Sequence, residues 1–258
     1  MKRYKILITL LAVNSALPTS SKDIDSLNIT ASPAVVQEHK RPSKAFNWPS
    51  VLIPSAFISI GIIGLKSPWL KYQNKEIRDE LQENIDHRIT LDDYAQYVPA
   101  VATFALDACG VKAKHSLTER IVVLATAAMI TECATLALKT ATRIERPDGS
   151  AHNSFPSGHT ATAFLGAEMV WQEYHEVSPW IGIAGYTVAS GTGLFRMYNN
   201  RHWLTDVLAG AGIGIISTKT AYLLYPVFSK LFHRKNKPTI AVPFYDGRNV
   251  GIAIHTSF

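Results

Sequence analysis

From residue 51 onward the chain consists of six apolar blocks joined by short polar connections, at residues 51–65, 94–111, 121–138, 160–171, 180–195 and 207–228. This layout restricts the fold more than any other feature, because apolar runs of such length form helices that bury a face against neighbours or lipid. Most fall short of, or just reach, the roughly 20 residues that a membrane-spanning helix needs. Glu132, Glu168 and Lys219 lie within the blocks. A charge at membrane depth is costly, so these helices are expected to pack inward or to be shallowly immersed. Residues 71–93 are charged, with Ile77, Leu81 and Ile85 at helical spacing, which predicts an amphipathic surface helix.

Composition narrows the partners. Charged residues make up 18% of the 258 and hydrophobic ones 47%, which excludes a disordered binder. A mean hydropathy of +0.06 is low for a protein made only of membrane spans. Lys and Arg number 26 against 20 Asp and Glu, for a net charge of +6. That excess suits an anionic partner: a phosphate group, an acidic lipid surface or nucleic acid. Two cysteines can build neither a disulfide framework nor a cysteine-rich zinc site. Cys109 and Cys133 both sit in apolar stretches and are expected to be buried free thiols.

The two ends read differently from the middle. Lys2, Arg3 and Lys5 precede an apolar run, residues 6–13, too short to span a bilayer, and Ser15 and Ala16 offer a cleavage point. Residues 1–18 are therefore read as a signal peptide, and the polar, proline-punctuated residues 19–44 as a linker. The main domain is expected over 45–232. Beyond a basic hinge at 234–237, two apolar runs flank Asp246-Gly247, a strong hairpin signal because both turn positions need positive φ. Pro243 would confine its strand to an edge. Residues 238–258 thus predict a small packed hairpin tail. The expected fold class is all-α, a six-helix membrane-associated bundle with a small C-terminal β-hairpin.

Chemistry concentrates between Lys139 and Asp206. If helical, Lys139, Arg143 and Arg146 form a cationic stripe at i, i+4 and i+7 that would repel itself without an anion, and Pro147 ends the helix. Pro156-Ser157-Gly158 opens the next helix, with Ser157 as a candidate N-cap. Free amides there, beside a small glycine, make a cradle for an oxyanion or phosphate. His159 follows in the first turn. His202 and Asp206, at i and i+4, are expected to share a helix face, the carboxylate holding Nδ1–H and leaving Nε2 free. Cations, an amide cradle and two histidines, one oriented by an aspartate, describe a phosphoryl-transfer site that needs no metal.

These residues resemble the three motifs of the type 2 phosphatidic acid phosphatase family. Lys139 with Arg146-Pro147 matches the first, Pro156-Ser157-Gly158-His159 the second, and Arg196 with His202 and Asp206 the third. Phe195 stands where the family has serine, a change peripheral to the chemistry that bears on substrate fit. The resemblance implies His202 as nucleophile, Asp206 as its orienting group, and His159 as general acid and then base. It implies that Lys139, Arg146, Arg196, Ser157 and the Gly158 amide bind the phosphate, with no metal and no cofactor. Arg143, Arg201 and His152 match no motif position and are read as surrounding or surface residues, and Asn199 and Asn200 as caps or entrance residues.

Among family members the chain looks like those of the bacterial envelope. This implies lipid phosphate substrates: phosphatidic acid, phosphatidylglycerol phosphate, undecaprenyl pyrophosphate or lipid A. The expected partners are that substrate and a membrane, with no nucleic acid. Alternative readings are a soluble periplasmic acid phosphatase, a vanadium-dependent haloperoxidase, and a non-catalytic phosphate-binding membrane protein. If Lys112, Lys114, Arg120 and the cluster at 230–237 face the cytoplasm, the site faces the periplasm across the inner membrane. One early block, 51–65, is then expected not to span.

Overall fold

The computed structural model describes residues 49–83, 90–233, 239–245 and 250–256. The expected signal peptide and linker lie outside them. The chain divides into two units, Met1–Lys44 and Ala45–Phe258, and the description below concerns the second.

Each of the six apolar blocks forms a helix. They are α1 (Pro49–Gly64), α4 (Val98–Ala108), α5 (Leu117–Thr142), α6 (Gly158–Tyr174), α7 (Pro179–Tyr198) and α8 (Leu204–His233). The amphipathic helix expected over 71–93 is α2 (Pro68–Gln82), which ends at Gln82; Ile85 lies outside the described residues, and a short α3 (Leu91–Ala95) completes the set. Eight helices among the described residues replace the six expected. The boundaries have local causes. Pro68 sits in the first turn of α2, where its missing N–H costs nothing, and Ser67 caps that helix by accepting from the Leu70 amide. Residues that precede a proline are pushed out of the helical region, so α1 and α2 meet at a 97° bend. Pro99 likewise sets the start of α4 and leaves Tyr94 to α3. Ser116 and Glu119 form a reciprocal capping box on α5. After Tyr198 the chain turns through Asn200, at φ +56°. Two strands end the described chain, β1 (Thr239–Tyr245) and β2 (Val250–Thr256), paired antiparallel from Thr239 opposite Thr256 to Tyr245 opposite Val250. The residues between them, 246–249, lie outside those described.

Helix α6 is the axis of the bundle and packs against α4, α5, α7 and α8. Small residues allow the helices to approach closely. A Cβ added to Gly214 of α8 would lie 2.2 Å from the Ala161 carbonyl oxygen, and one on Gly210 would lie 2.4 Å from that of Ser157, both on α6 or its cap. On Gly212 it would lie 2.4 Å from the Pro54 oxygen of α1. Alternate positions of one helix thus seat two different neighbours.

Buried charges are paired. Lys219 donates to Glu168 at 2.7 Å, and Gln172 and Tyr186 donate to the same carboxylate. Arg120, 1% exposed, donates to the Thr103 carbonyl and to Asp107 and lies over the Phe104 ring. It is therefore a buried strut between α4 and α5 and not a basic position that faces either side of the membrane, as was expected with Lys112 and Lys114. Glu132 is exposed.

Among the described residues two helices, Leu117–Thr142 and Leu204–Ser229, are long and apolar enough to cross a membrane, and the bent α1–α2 pair passes the same test as one broken span. Ile121, Met129 and Leu136 of α5 and Trp180 and Leu194 of α7 are exposed, as suits lipid-facing surfaces. The protein is a membrane protein. Cys109 and Cys133 are exposed, against the expectation of buried thiols, because an apolar neighbourhood in sequence does not separate a lipid-facing position from a core one.

Gly214→Ala should destabilise by roughly 1–3 kcal/mol, since the clash is with backbone that cannot rotate away. Thermal melting in detergent checks this, with Gly158→Ala as the control, whose Cβ meets nothing within 4 Å.

Candidate active site

The site is assembled where the C-terminal ends of α5 and α7 meet the N-terminal ends of α6 and α8. Helix α5 ends earlier than its proline suggested. Arg143 takes a left-handed conformation, φ 48°, and caps the helix, so Lys139 is helical while Arg146 lies in the following loop. The expected helical stripe of three cations does not exist. Asn153 brings two of its members together instead: Lys139 Nζ donates to the Asn153 carbonyl at 3.0 Å and Arg146 Nε to its side-chain oxygen at 2.8 Å.

Ser157 is the N-cap of α6 by backbone position, but its side chain caps nothing. Its hydroxyl pairs with Thr160 Oγ1 at 2.9 Å, and its amide donates to the Asp206 carbonyl at 3.0 Å. The amides that follow, of Gly158 and His159, have no carbonyl of their own helix to bond. Open space where a Gly158 Cβ would stand leaves room for a ligand beside them.

His202 does not share the α8 helix with Asp206. It sits in the bend just before Leu204, while Asp206 is in the first turn. The imidazole Nδ1 is 3.7 Å from Asp206 Oδ2, too long for a hydrogen bond. Ser154 bridges the gap. Its hydroxyl lies 2.5 Å from Asp206 Oδ2 and 3.4 Å from His202 Nδ1. A serine has one proton; at the shorter distance it is donated to the carboxylate, so toward His202 the oxygen can only accept. The hydrogen of His202 is therefore on Nδ1, and Nε2 carries the lone pair. Asp206 Oδ2 also accepts from the Trp203 amide at 3.0 Å, which ties the carboxylate to the helix start.

Burial dominates the protonation of His202 and pushes it down to about 4, with Asp206 opposing and Arg196 and Lys139 assisting. The imidazole is neutral at physiological pH. His159, in the first turn of α6, is also held below its ordinary value by burial and by Arg196, against a hydrogen bond that it donates to Asp93.

A cavity of about 260 Å³ opens beside His159, lined by Arg146, Arg196, Arg201, Asp92 and Asp93 among others. Arg196 is 7% exposed and its Nε is buried without a hydrogen-bond partner. Lys139, Arg146, Arg196, His202 and Asp206 all interact electrostatically. Every motif residue thus enters one neighbourhood, although the cavity walls include His159 and not His202. Sequence reasoning missed Ser154, Asn153, Asp92 and Asp93. It also set aside Arg201, which bonds Asp148 at 3.2 Å on the cavity wall, and Asn199, which bonds Asp92 at 2.9 Å. The adjacency of Arg201 to His202 was the one available signal. No group of three or more His, Cys, Asp or Glu side chains able to hold a metal occurs among the described residues.

The protein is thus helical and holds a buried, neutral histidine within the field of Arg196 and Lys139. Over residues 120–230 it matches the family model of the PAP2 superfamily, so the resemblance carried by the three motifs holds. A stretch of 77 residues, 30% of the chain, is 58% identical to the lipid A 1-phosphatase of Porphyromonas gingivalis. The match spans 17% of the length of that curated relative. The crystal structure of Aquifex aeolicus LpxE aligns at 23% identity and TM-score 0.40, covering 66% of this chain and 93% of that one. A PAP2-type phosphatidylglycerolphosphate phosphatase from Bacillus subtilis aligns at 20% identity and TM-score 0.37, covering 70% and 88%.

Histidine-selective NMR titration should find His202 neutral down to about pH 4. Its folded value lies below the ordinary 6.5, so the stability it contributes is intact above pH 6.5 and lost as pH falls toward 4. A midpoint near 6.5 in the native protein would show that the imidazole is not buried as described.

Proposed function

We propose that this protein is a metal-independent phosphatase that hydrolyses membrane lipid phosphates through a phosphohistidine intermediate. The observation that carries the reading is the buried, neutral His202, whose Nδ1–H faces Ser154 and Asp206, whose Nε2 is left with its lone pair, and which lies within the field of Arg196 and Lys139. Nε2 attacks phosphorus and forms the N–P bond. The bond from phosphorus to the leaving oxygen breaks, and that oxygen takes its proton from His159. A water then attacks, His159 accepts its proton, and the N–P electron pair returns to His202. Lys139, Arg146 and Arg196 bind the phosphate oxygens with the Gly158 amide, while Ser157 fixes the start of α6. Arg201 adds positive charge on the cavity wall. The cations stabilise the charge gathered in the transition state.

Support for a lipid substrate comes from the two long apolar helices and from an apolar cavity of about 680 Å³ between α1, α6, α7 and α8. Phe57, Phe164, Leu194 and Met197 line it. It offers space for acyl chains and argues against the soluble periplasmic enzyme. The name of the Porphyromonas relative makes a phosphorylated glycolipid the first substrate to try; phosphatidic acid, phosphatidylglycerol phosphate and undecaprenyl pyrophosphate follow. We assign the activity to residues 45–232, in the inner membrane with the site toward the periplasm. The tail from 238 is read as a small hairpin appendage, supported by the pairing of β1 with β2.

Phosphate release from detergent-solubilised protein should persist in EDTA and stop with orthovanadate. Loss in chelator with recovery on adding Mg²⁺ or Zn²⁺ would refute metal independence. Rapid-quench labelling with ³²P-substrate should trap an acid-labile, base-stable adduct that is absent from His202→Ala. His159→Ala should slow turnover by roughly 10²–10⁴-fold, the usual contribution of a general acid. It should still accumulate some adduct from substrates with good leaving groups. An adduct persisting in His202→Ala assigns the nucleophile elsewhere.

A further inference from the structure

The short helix α3 places two adjacent carboxylates on the wall of the cation-lined cavity. Successive residues on a helix point about 100° apart, so neighbours reach different partners. Asp92 is 1% exposed; its Oδ2 accepts from Arg196 Nη1 at 2.5 Å and its Oδ1 from Asn199 Nδ2 at 2.9 Å. The Asp93 side chain is half exposed, with Oδ1 3.0 Å from His159 Nε2 and 3.4 Å from Arg196 Nη1. We propose that the two act as positioning residues with separate duties, Asp92 setting Arg196 for phosphate and Asp93 holding His159 as the proton donor. The proposal rests on the phosphatase reading above.

The geometry gives each duty a physical basis. A buried guanidinium on a flexible stem has many orientations, and a buried carboxylate bonded to one terminal nitrogen selects one of them. Nε of Arg196, buried and without a partner, is then left for a ligand oxygen. A carboxylate can only accept, so the contact with Asp93 requires the hydrogen on His159 Nε2, and the imidazolium has Nδ1–H for the leaving oxygen. The charges around His159 compete. Arg196 of α7 opposes protonation, Asp92 and Asp93 of α3 favour it, and Arg146 and Arg201 share the cavity. Burial alone would leave the imidazole deprotonated at neutral pH and useless as an acid. Asp93 counters part of this, and its half-exposed carboxylate keeps the pair open to solvent rather than a permanent, inert ion pair.

The test is steady-state kinetics of the full-length protein in detergent across pH, with phosphatidic acid and with p-nitrophenyl phosphate. Asp93→Asn should lower kcat on phosphatidic acid by roughly tenfold or more and leave KM nearly unchanged. Its basic limb should move to lower pH, because His159 loses its proton more easily. The defect should shrink on p-nitrophenyl phosphate, whose leaving group needs little protonation. Asp92→Asn should instead raise KM and the orthovanadate Kd by roughly tenfold, as expected for one lost charge-assisted contact. An unmoved basic limb, or an equal loss on both substrates, overturns the role of Asp93. Should Asp92→Asn fail to fold, Asp92→Glu replaces it, and unchanged vanadate affinity in a folded variant overturns the role of Asp92. If the wild type releases phosphate from neither of these nor from a phosphorylated glycolipid, the phosphatase reading fails. Asp93 is then judged by the His159 NMR titration, where no downward shift in Asp93→Asn overturns its role.

Discussion

A single carboxylate oxygen, Oδ2 of Asp206, joins the parts of the site. It accepts the Ser154 hydroxyl from the loop before α6 and the Trp203 amide at the start of α8. The backbone carbonyl of the same residue accepts the Ser157 amide. The cradle at α6 and the histidine before α8 are therefore held by one residue with almost no solvent exposure. In this setting the orientation of His202 does not rest on a direct contact with Asp206. It passes through a serine whose only proton is already committed, and that commitment settles the tautomer.

The bundle around the site has two solutions to life in lipid. Where helices meet, glycines remove side chains so that backbone lies against backbone, and packing replaces a hydrophobic drive that lipid cannot supply. Three buried charges are matched across helices: Glu168 with Lys219, Arg120 with Asp107, Arg196 with Asp92. Breaking one member of such a pair is far worse than never having had it. Within the apolar blocks Glu168 and Lys219 find each other across helices, whereas Glu132 is exposed and several threonines bond back to their own helix.

How much was legible in the sequence follows from how local each cause is. Helices α5 and α8 declare themselves in long apolar windows, and the amphipathic α2 in its spacing. Helix α3 does not, because its five residues carry no period and are held by an ion pair to Arg196, 104 residues away. The motif residues were visible because their chemistry is unusual in an apolar chain. Ser154 was not, since its role depends on a turn that brings it against residue 206. Proline signals were over-read at Pro147, where Arg143 had already ended the helix by turning left-handed. The cysteines were misplaced because hydropathy reports apolar surroundings without saying whether these are protein or lipid.

The order in which the site's parts occur along the chain has a consequence for its assembly. Carboxylates come first, on α3, then cations at the end of α5, then the cradle of α6, and last the histidine and aspartate flanking the start of α8. In a chain still being inserted, Asp92 and Asp93 precede their partner Arg196 by about a hundred residues. The histidine proposed to attack arrives only with the final long helix. Because the site closes through contacts distant in sequence, which form late, the phosphoryl chemistry proposed above has no complete site in a half-inserted chain and becomes possible only when the bundle is closed.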